Sequence, residues 1–156
     1  MEIIFNYIIF SVSIAFISWI VGMIMTALVQ KTKLYNKQLS NLNFIKSEAF
    51  NKIIGIGIIK WIVKRTFFKF FNQKLKIDRK ISISDLQNLR AEMTKSEIDH
   101  LLAFLFVMIF VIIAILTNRF LFAFIILMFN LIMNLYPSLL QQQNKRRIDK
   151  LLPKFQ

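Results

Sequence analysis

From Ile3 to Val29 the chain runs for about 27 residues without a charged side chain. Backbone polar groups cannot stay unpaired in lipid, so a run of this length reads as an α-helix able to span a bilayer with some tilt. It starts just after an acid, Glu2, and is longer than the apolar core of a signal peptide, which also needs a positive flank. The expectation is a retained membrane helix. Within it Ser11, Ala15, Ser18, Gly22 and Thr26 recur every three or four residues. Such a stripe of small side chains reads as a packing face, because helices in lipid associate by close approach.

Two further apolar runs, Leu101–Leu116 and Phe120–Tyr136, are joined by Thr117-Asn118-Arg119. Each covers roughly 24–26 Å as a helix, against a bilayer core of about 30 Å. They form a tight hairpin that spans or nearly spans, a re-entrant hairpin being the alternative. Ahead of it, Ser84-Asp85 reads as a cap for a helix that begins at Leu86 and runs through His100 into the apolar segment. Neither glycine nor proline interrupts Asp85 to Leu116. The earlier run from Ile53 to Val63 is too short to span and carries Lys60, so residues 51–71 read as an interfacial or re-entrant segment with Trp61 in the headgroup layer. A second full span there would have to accommodate Lys60, Lys64 and Arg65 in lipid, which is costly.

The fold class is therefore all-α integral membrane, one domain over residues 1–156. It has about three transmembrane helices (3–29, 101–116 and 120–136), a cytoplasmic helix at 85–100 and a basic cytoplasmic tail at 141–156. Composition agrees: the chain is 56% hydrophobic, with 17 Phe, yet carries a net charge of +13. Its basic residues flank apolar segments and form no separate soluble module. That pattern points to anionic lipid or an anionic substrate and away from nucleic acid. Of 21 Lys and Arg, this topology leaves only Arg119 outside, so the N-terminus is expected outside and the C-terminus in the cytoplasm of a bacterial cell membrane. The absence of cysteine excludes disulfides, iron–sulfur clusters and thiolate catalysis.

Chemistry concentrates at the entry to the second span. Glu92 to His100 holds three of the eight acids (Glu92, Glu97 and Asp99, with Asp85 close before) and the single histidine. Glu97 and His100 lie about 60° apart on one helix face, and the same face continues through Ala103, Val107, Val111 and Ala114, so it is expected to point inward. Lys95 and Asp99, one turn apart on another face, read as a surface ion pair. In the last span Asn130 and Asn134 share a face, with Gln141 close to it, and Pro137 is placed to kink the path. His100 lies 18 residues before Asn118 and Asn134 lies 16 after it. The two depths then differ by only about 3 Å, so the residues are expected to meet. A histidine whose tautomer is held by the Glu97 carboxylate can deprotonate a hydroxyl. The amides of Asn134 and Asn144 can stabilise an oxyanion, and Lys145 to Arg147 can hold a phosphate-bearing donor. Two plainer roles stay open: Glu97 and His100 as polar residues at the helix entry, and Lys145–Arg147 as headgroup anchors. One Glu-x-x-His is half of a di-iron ligand set and there is no second histidine, so no metal is expected, and no fingerprint of a nucleotide cofactor occurs.

Glu92…Lys95-Ser96-Glu97-Ile98-Asp99-His100 resembles the Glu…Arg-Ala-Glu-x-x-His signature of the glycosyl-diaponeurosporenoate acyltransferases, small membrane enzymes of staphyloxanthin-type carotenoid synthesis. Asn134…Pro137…Gln141 to Arg147 resembles their second signature, Asn…Pro…Gln-Arg-Tyr-Asn-Arg-x-Arg. Glu92, Glu97, His100, Asn134, Asn144 and Arg147 match, while Lys95 and Lys145 stand where the family has Arg, and Gln142 and Gln143 replace Arg and Tyr. The resemblance implies transfer of a fatty acyl group to a sugar hydroxyl of a lipid-soluble glycoside at the cytoplasmic face. It implies catalytic roles for His100, Glu97 and Asn134, and substrate-binding roles for Glu92, Asn144, Lys145 and Arg147. The partners implied are membrane lipids, the glycoside acceptor, the acyl donor and an oligomer or biosynthetic complex. The competing reading is a non-catalytic membrane subunit whose polar residues mediate helix packing and partner binding.

Overall fold

A computed structural model describes residues 2–42 and 82–154 of the chain. The expected interfacial segment 51–71, with Lys60, Lys64 and Arg65, lies outside the described residues. Helix α1 spans Glu2–Val29, a short helix α2 spans Lys33–Lys37, and a 3-10 turn follows at Leu39–Asn41. Helix α3 spans Ile83–Leu116 and α4 spans Phe120–Asn130. A π-helical turn at Leu131–Leu135 then leads into α5, Tyr136–Leu151. Among the described residues there is no strand, and three helices are long and apolar enough to cross a membrane: Glu2–Val29, Ile83–Leu116 and the composite Phe120–Lys154. The chain is an all-α membrane bundle.

Packing follows the small-residue faces. Ser11, Ala15, Ser18, Gly22 and Thr26 of α1 are all buried, as are Ala103, Val107, Val111 and Ala114 of α3. The large apolar side chains of the other faces, such as Ile17, Ile20, Ile24 and Ile113, stay exposed where lipid would solvate them. Gly22 marks the closest approach of α1 to α3: a Cβ there would meet the Asp99 carbonyl oxygen at 2.2 Å. On the hairpin side of the bundle, Tyr7 and Phe10 pack on Phe122, and Phe10 also meets Phe110. The turn is made by Asn118 in the left-handed conformation, φ 57°, which asparagine tolerates better than most residues.

Helix α3 begins three residues before the expected start. Its N-cap is Ser82, with Asp85 returning a bond to the Ser82 backbone N–H in a capping box. Ser84 is displaced from the capping role because the reciprocal pair needs the carboxylate at the third helical position, and Asp85 occupies it for Ser82. Hydrogen bonds from Ser82 hold the Asp85 carboxyl below its ordinary value. A group lowered in this way contributes its stability above the unfolded carboxylate range, and loses it as pH falls through the lowered value. The cap is thus intact at neutral pH.

The last span carries the main departure from regular geometry. Pro137 has no N–H, so the carbonyl four residues earlier, Met133, loses its helical partner. The indole N–H of Trp19 on α1 donates to that Met133 oxygen at 3.2 Å. The backbone also switches to a π-turn, in which the Tyr136 N–H bonds the Leu131 carbonyl five residues back. A π-turn absorbs an extra residue, so positions beyond it are rotated by about one place relative to a straight α-helix.

Gly22→Ala is expected to destabilise the bundle. Overpacking costs about 1–3 kcal/mol, and because the obstacle here is backbone, this outweighs the gain in helix propensity of about 1 kcal/mol. Thermal unfolding in detergent reads the effect, with Ile20→Ala on the exposed face as control. A Gly22→Ala protein as stable as the parent would contradict the crossing.

Candidate active site

The inward polar stripe of the last span steps four residues at a time: Asn130, Asn134, Ser138 and Gln142, with Lys145 three further on. All five are buried. A straight helix would have turned Gln141 inward, and the π-turn places Gln142 there instead, leaving Gln141 half-exposed. The stripe faces α3. Asn130 Nδ2 donates to the Phe104 carbonyl at 3.1 Å, and Ser138 Oγ donates to the Glu97 carbonyl at 3.0 Å.

Glu97 sits at the centre with no accessible surface, and Lys145, 2% exposed, pairs directly with its Oε2. Gln142 Nε2 donates to Oε1 at 2.9 Å. The Lys145 ammonium also donates to the Leu42 carbonyl at 2.9 Å, which draws the connection after α2 over the pair. Two charges removed from water are tolerated only when mutually paired and supplied with further hydrogen bonds, and this group has both. Tyr35 on α2 lies near the same cluster. Partial burial, then the Asp99 and Glu97 carboxylates, push its phenol above the ordinary value.

His100 is one turn further into the bundle. Its ring stands edge-on to Trp19, centroids 6.1 Å apart, and the Trp19 indole bonds the carbonyl of Met133, the residue before Asn134. His100 Nδ1 and Asn134 Oδ1 are both buried, and neither has a hydrogen-bond partner. Asn134 spends both amide protons elsewhere, on Asn130 Oδ1 at 2.9 Å and Ser18 Oγ at 3.0 Å. Lys95 and Asp99 form the expected i, i+4 pair at 3.2 Å.

A family described as glycosyl-4,4'-diaponeurosporenoate acyltransferase matches residues 31–154. The chain belongs to that family. No curated protein and no solved structure shows a match. The family match covers α2, α3, α4 and α5 and stops short of α1, whose Ser18, Trp19 and Gly22 nonetheless touch the matched segments.

Several expectations change. Glu97 does not hold the His100 tautomer, because its oxygens are taken by Lys145 and Gln142. Lys145 is neither a headgroup anchor nor a solvent-facing substrate contact. It is a buried partner of Glu97. Asn134 offers no spare amide proton for an oxyanion. Asn144 is buried at 8% exposure, whereas Glu92 and Arg147 are exposed. Arg90 pairs with Asp149 where α3 and α5 run side by side beyond the apolar core, and Leu86, Met93 and Ile148 pack together there. Ser18, Trp19, Ser138 and Gln142 had not been expected in the site. The four-residue spacing Asn130, Asn134, Ser138, Gln142 was the available signal for two of them. Among the described residues no group of three His, Cys, Asp or Glu side chains converges as a metal site requires.

Lys145→Met leaves a buried carboxylate without its cation, and is expected to cost about 3–5 kcal/mol. Adding Glu97→Gln should recover much of that loss. A thermal-unfolding cycle of the two single variants and the double variant measures the coupling. Strictly additive losses would contradict a direct buried pair.

Proposed function

We propose that the protein is a membrane acyltransferase that moves a fatty acyl group onto a sugar hydroxyl of a lipid-soluble glycoside at the cytoplasmic face. The observation that carries this reading is the division between two neighbouring groups. Glu97 is fully engaged in an ion pair, while His100, one turn away, stays outside that pair with its ring edge-on to Trp19. Family membership supplies the reaction class, and the membrane bundle suits an acceptor dissolved in lipid.

In this reading His100 is the general base. It takes the proton of the sugar hydroxyl as the oxygen forms a bond to the acyl carbonyl carbon. The bond from that carbon to the donor's leaving group then breaks, and the proton is passed on from the imidazolium to the departing group. Glu97 and Lys145 are positioning residues that lock α3 against α5. Arg147 and Glu92 lie on the exposed surface, where Arg147 is suited to a phosphate-bearing donor. Fatty acyl donor and glycoside are both anchored or recruited at the membrane, so the reaction needs only a polar opening at the helix ends.

Membranes containing the His100→Ala protein, supplied with a glycosylated carotenoid acid and an activated fatty acyl donor, should show a rate lower by about 10²–10⁴. The variant should retain parental expression and melting behaviour. Full activity in folded His100→Ala protein would end the catalytic reading.

The orientation has its own test. Reporter fusions after Lys37 and after Leu152 are expected to read cytoplasmic, and one at Asn118 external. A cytoplasmic signal at Asn118 would make the hairpin re-entrant, and an external one at Lys37 would invert the topology.

A further inference from the structure

The hydrogen bonds around Asn134 form a chain with a fixed direction. At one end, Asn130 Nδ2 donates to the Phe104 backbone carbonyl, which can only accept. Asn130 therefore turns its oxygen toward Asn134, and Asn134 must answer with its amide nitrogen. At the other end, Ser18 Oγ spends its proton on the Ala15 carbonyl at 2.7 Å and presents a lone pair, which also asks Asn134 for a proton. Flipping either asparagine would set two acceptors face to face. Both backbone carbonyls thus dictate the same result: the Asn134 carbonyl oxygen is left outside the chain as a buried acceptor.

Resting on the acyltransferase reading, we propose that this chain fixes the tautomer of His100. Ser18 and Asn130 set the Asn134 amide, whose Oδ1 holds the proton on Nδ1 and leaves Nε2 bare as the base. Two facts fit together here. Asn134 Oδ1 is a buried acceptor lacking a donor, and His100 Nδ1 is a buried ring nitrogen lacking a partner. An N–H on Nδ1 satisfies both, whereas a bare Nδ1 leaves two lone pairs buried together, which is unfavourable. A carboxylate commonly plays this orienting role for histidine. Here Glu97 is occupied by Lys145, and a neutral amide takes the task. Ser18 makes α1 part of the site although the family match begins at residue 31. Ser18 and Asn130 are positioning residues, since they act through Asn134.

The chain has one histidine, so ¹⁵N-histidine labelling gives one imidazole and an unambiguous tautomer by NMR in detergent micelles. The parent protein is expected to show Nδ1 protonated and Nε2 bare at a pH where the ring is neutral. Ser18→Ala should raise the Nε2-protonated share, and Ser18→Thr, which keeps the hydroxyl, should restore the parental spectrum. In the acyl-transfer assay Ser18→Ala should lower kcat severalfold with KM unchanged. A parent spectrum dominated by Nε2–H would overturn the proposal whether or not Ser18→Ala folds, and so would identical tautomer ratios in parent and Ser18→Ala. Parental activity in His100→Ala together with the expected spectrum would instead remove the enzyme reading and leave the hydrogen-bond chain standing.

Discussion

The arrangement depends on one buried ion pair. Glu97 and Lys145 have almost no contact with solvent, and neither charge is tolerable in such a place without the other. Their pairing sets the register of α3 against α5, and the Gln142 amide removes the remaining freedom of the carboxylate. The Leu42 carbonyl, drawn to the same ammonium, brings the chain leaving α1 across the end of the bundle. A single electrostatic contact thereby ties together three separate parts of the sequence. It also commits both Glu97 oxygens to the α3–α5 contact, one to Lys145 and one to Gln142.

The second constraint is a proline that the last helix cannot ignore. Pro137 removes one backbone donor, and the structure answers with the π-turn and with the Trp19 indole on the freed Met133 carbonyl. Irregular backbone in a membrane helix is tolerated where neighbouring protein satisfies the released groups. Trp19 does so while its ring also stands beside His100. The irregularity therefore has a positional consequence. By shifting the phase of α5 it turns Gln142 and Lys145 inward toward Glu97, and so makes the ion pair possible.

Those two constraints explain which parts of the fold could be read from the residues. The small-residue stripe of α1, the Ala103–Val107–Val111–Ala114 face and the inward asparagines follow from periodicity, and all are buried as that periodicity implies. Counting out from the Asn118 turn puts His100 and Asn134 at similar depth, because an antiparallel hairpin pairs residues at equal depth, and His100 Nδ1 and Asn134 Oδ1 are both buried. The burial of Lys145 is not legible in the sequence, because a basic run beside an apolar helix normally serves the headgroups, and nothing local signals a buried carboxylate 48 positions earlier in the chain. Gln142 is not legible either, because a straight-helix phase favours Gln141. The Glu97–His100 partnership failed for a different reason: sharing a face places two side chains near each other, but their partners are chosen by the helix opposite. Residues 51–71 lie outside the described residues.

What emerges is a bundle in which charge holds the frame and a neutral amide chain addresses the histidine. α1 supplies Ser18, Trp19 and the Gly22 crossing, α3 supplies Glu97 and His100, and the last span supplies the asparagines and the lysine. In the proposed reading the Glu97–Lys145 frame is structural and the His100 imidazole does the chemistry. Chemical rescue separates the two roles. In detergent-purified His100→Gly protein, acyl transfer is expected to be lost and then to rise with added imidazole, while imidazole leaves a Lys145→Met protein unimproved. A folded His100→Gly protein that transfers acyl groups at the parental rate without imidazole would contradict that reading.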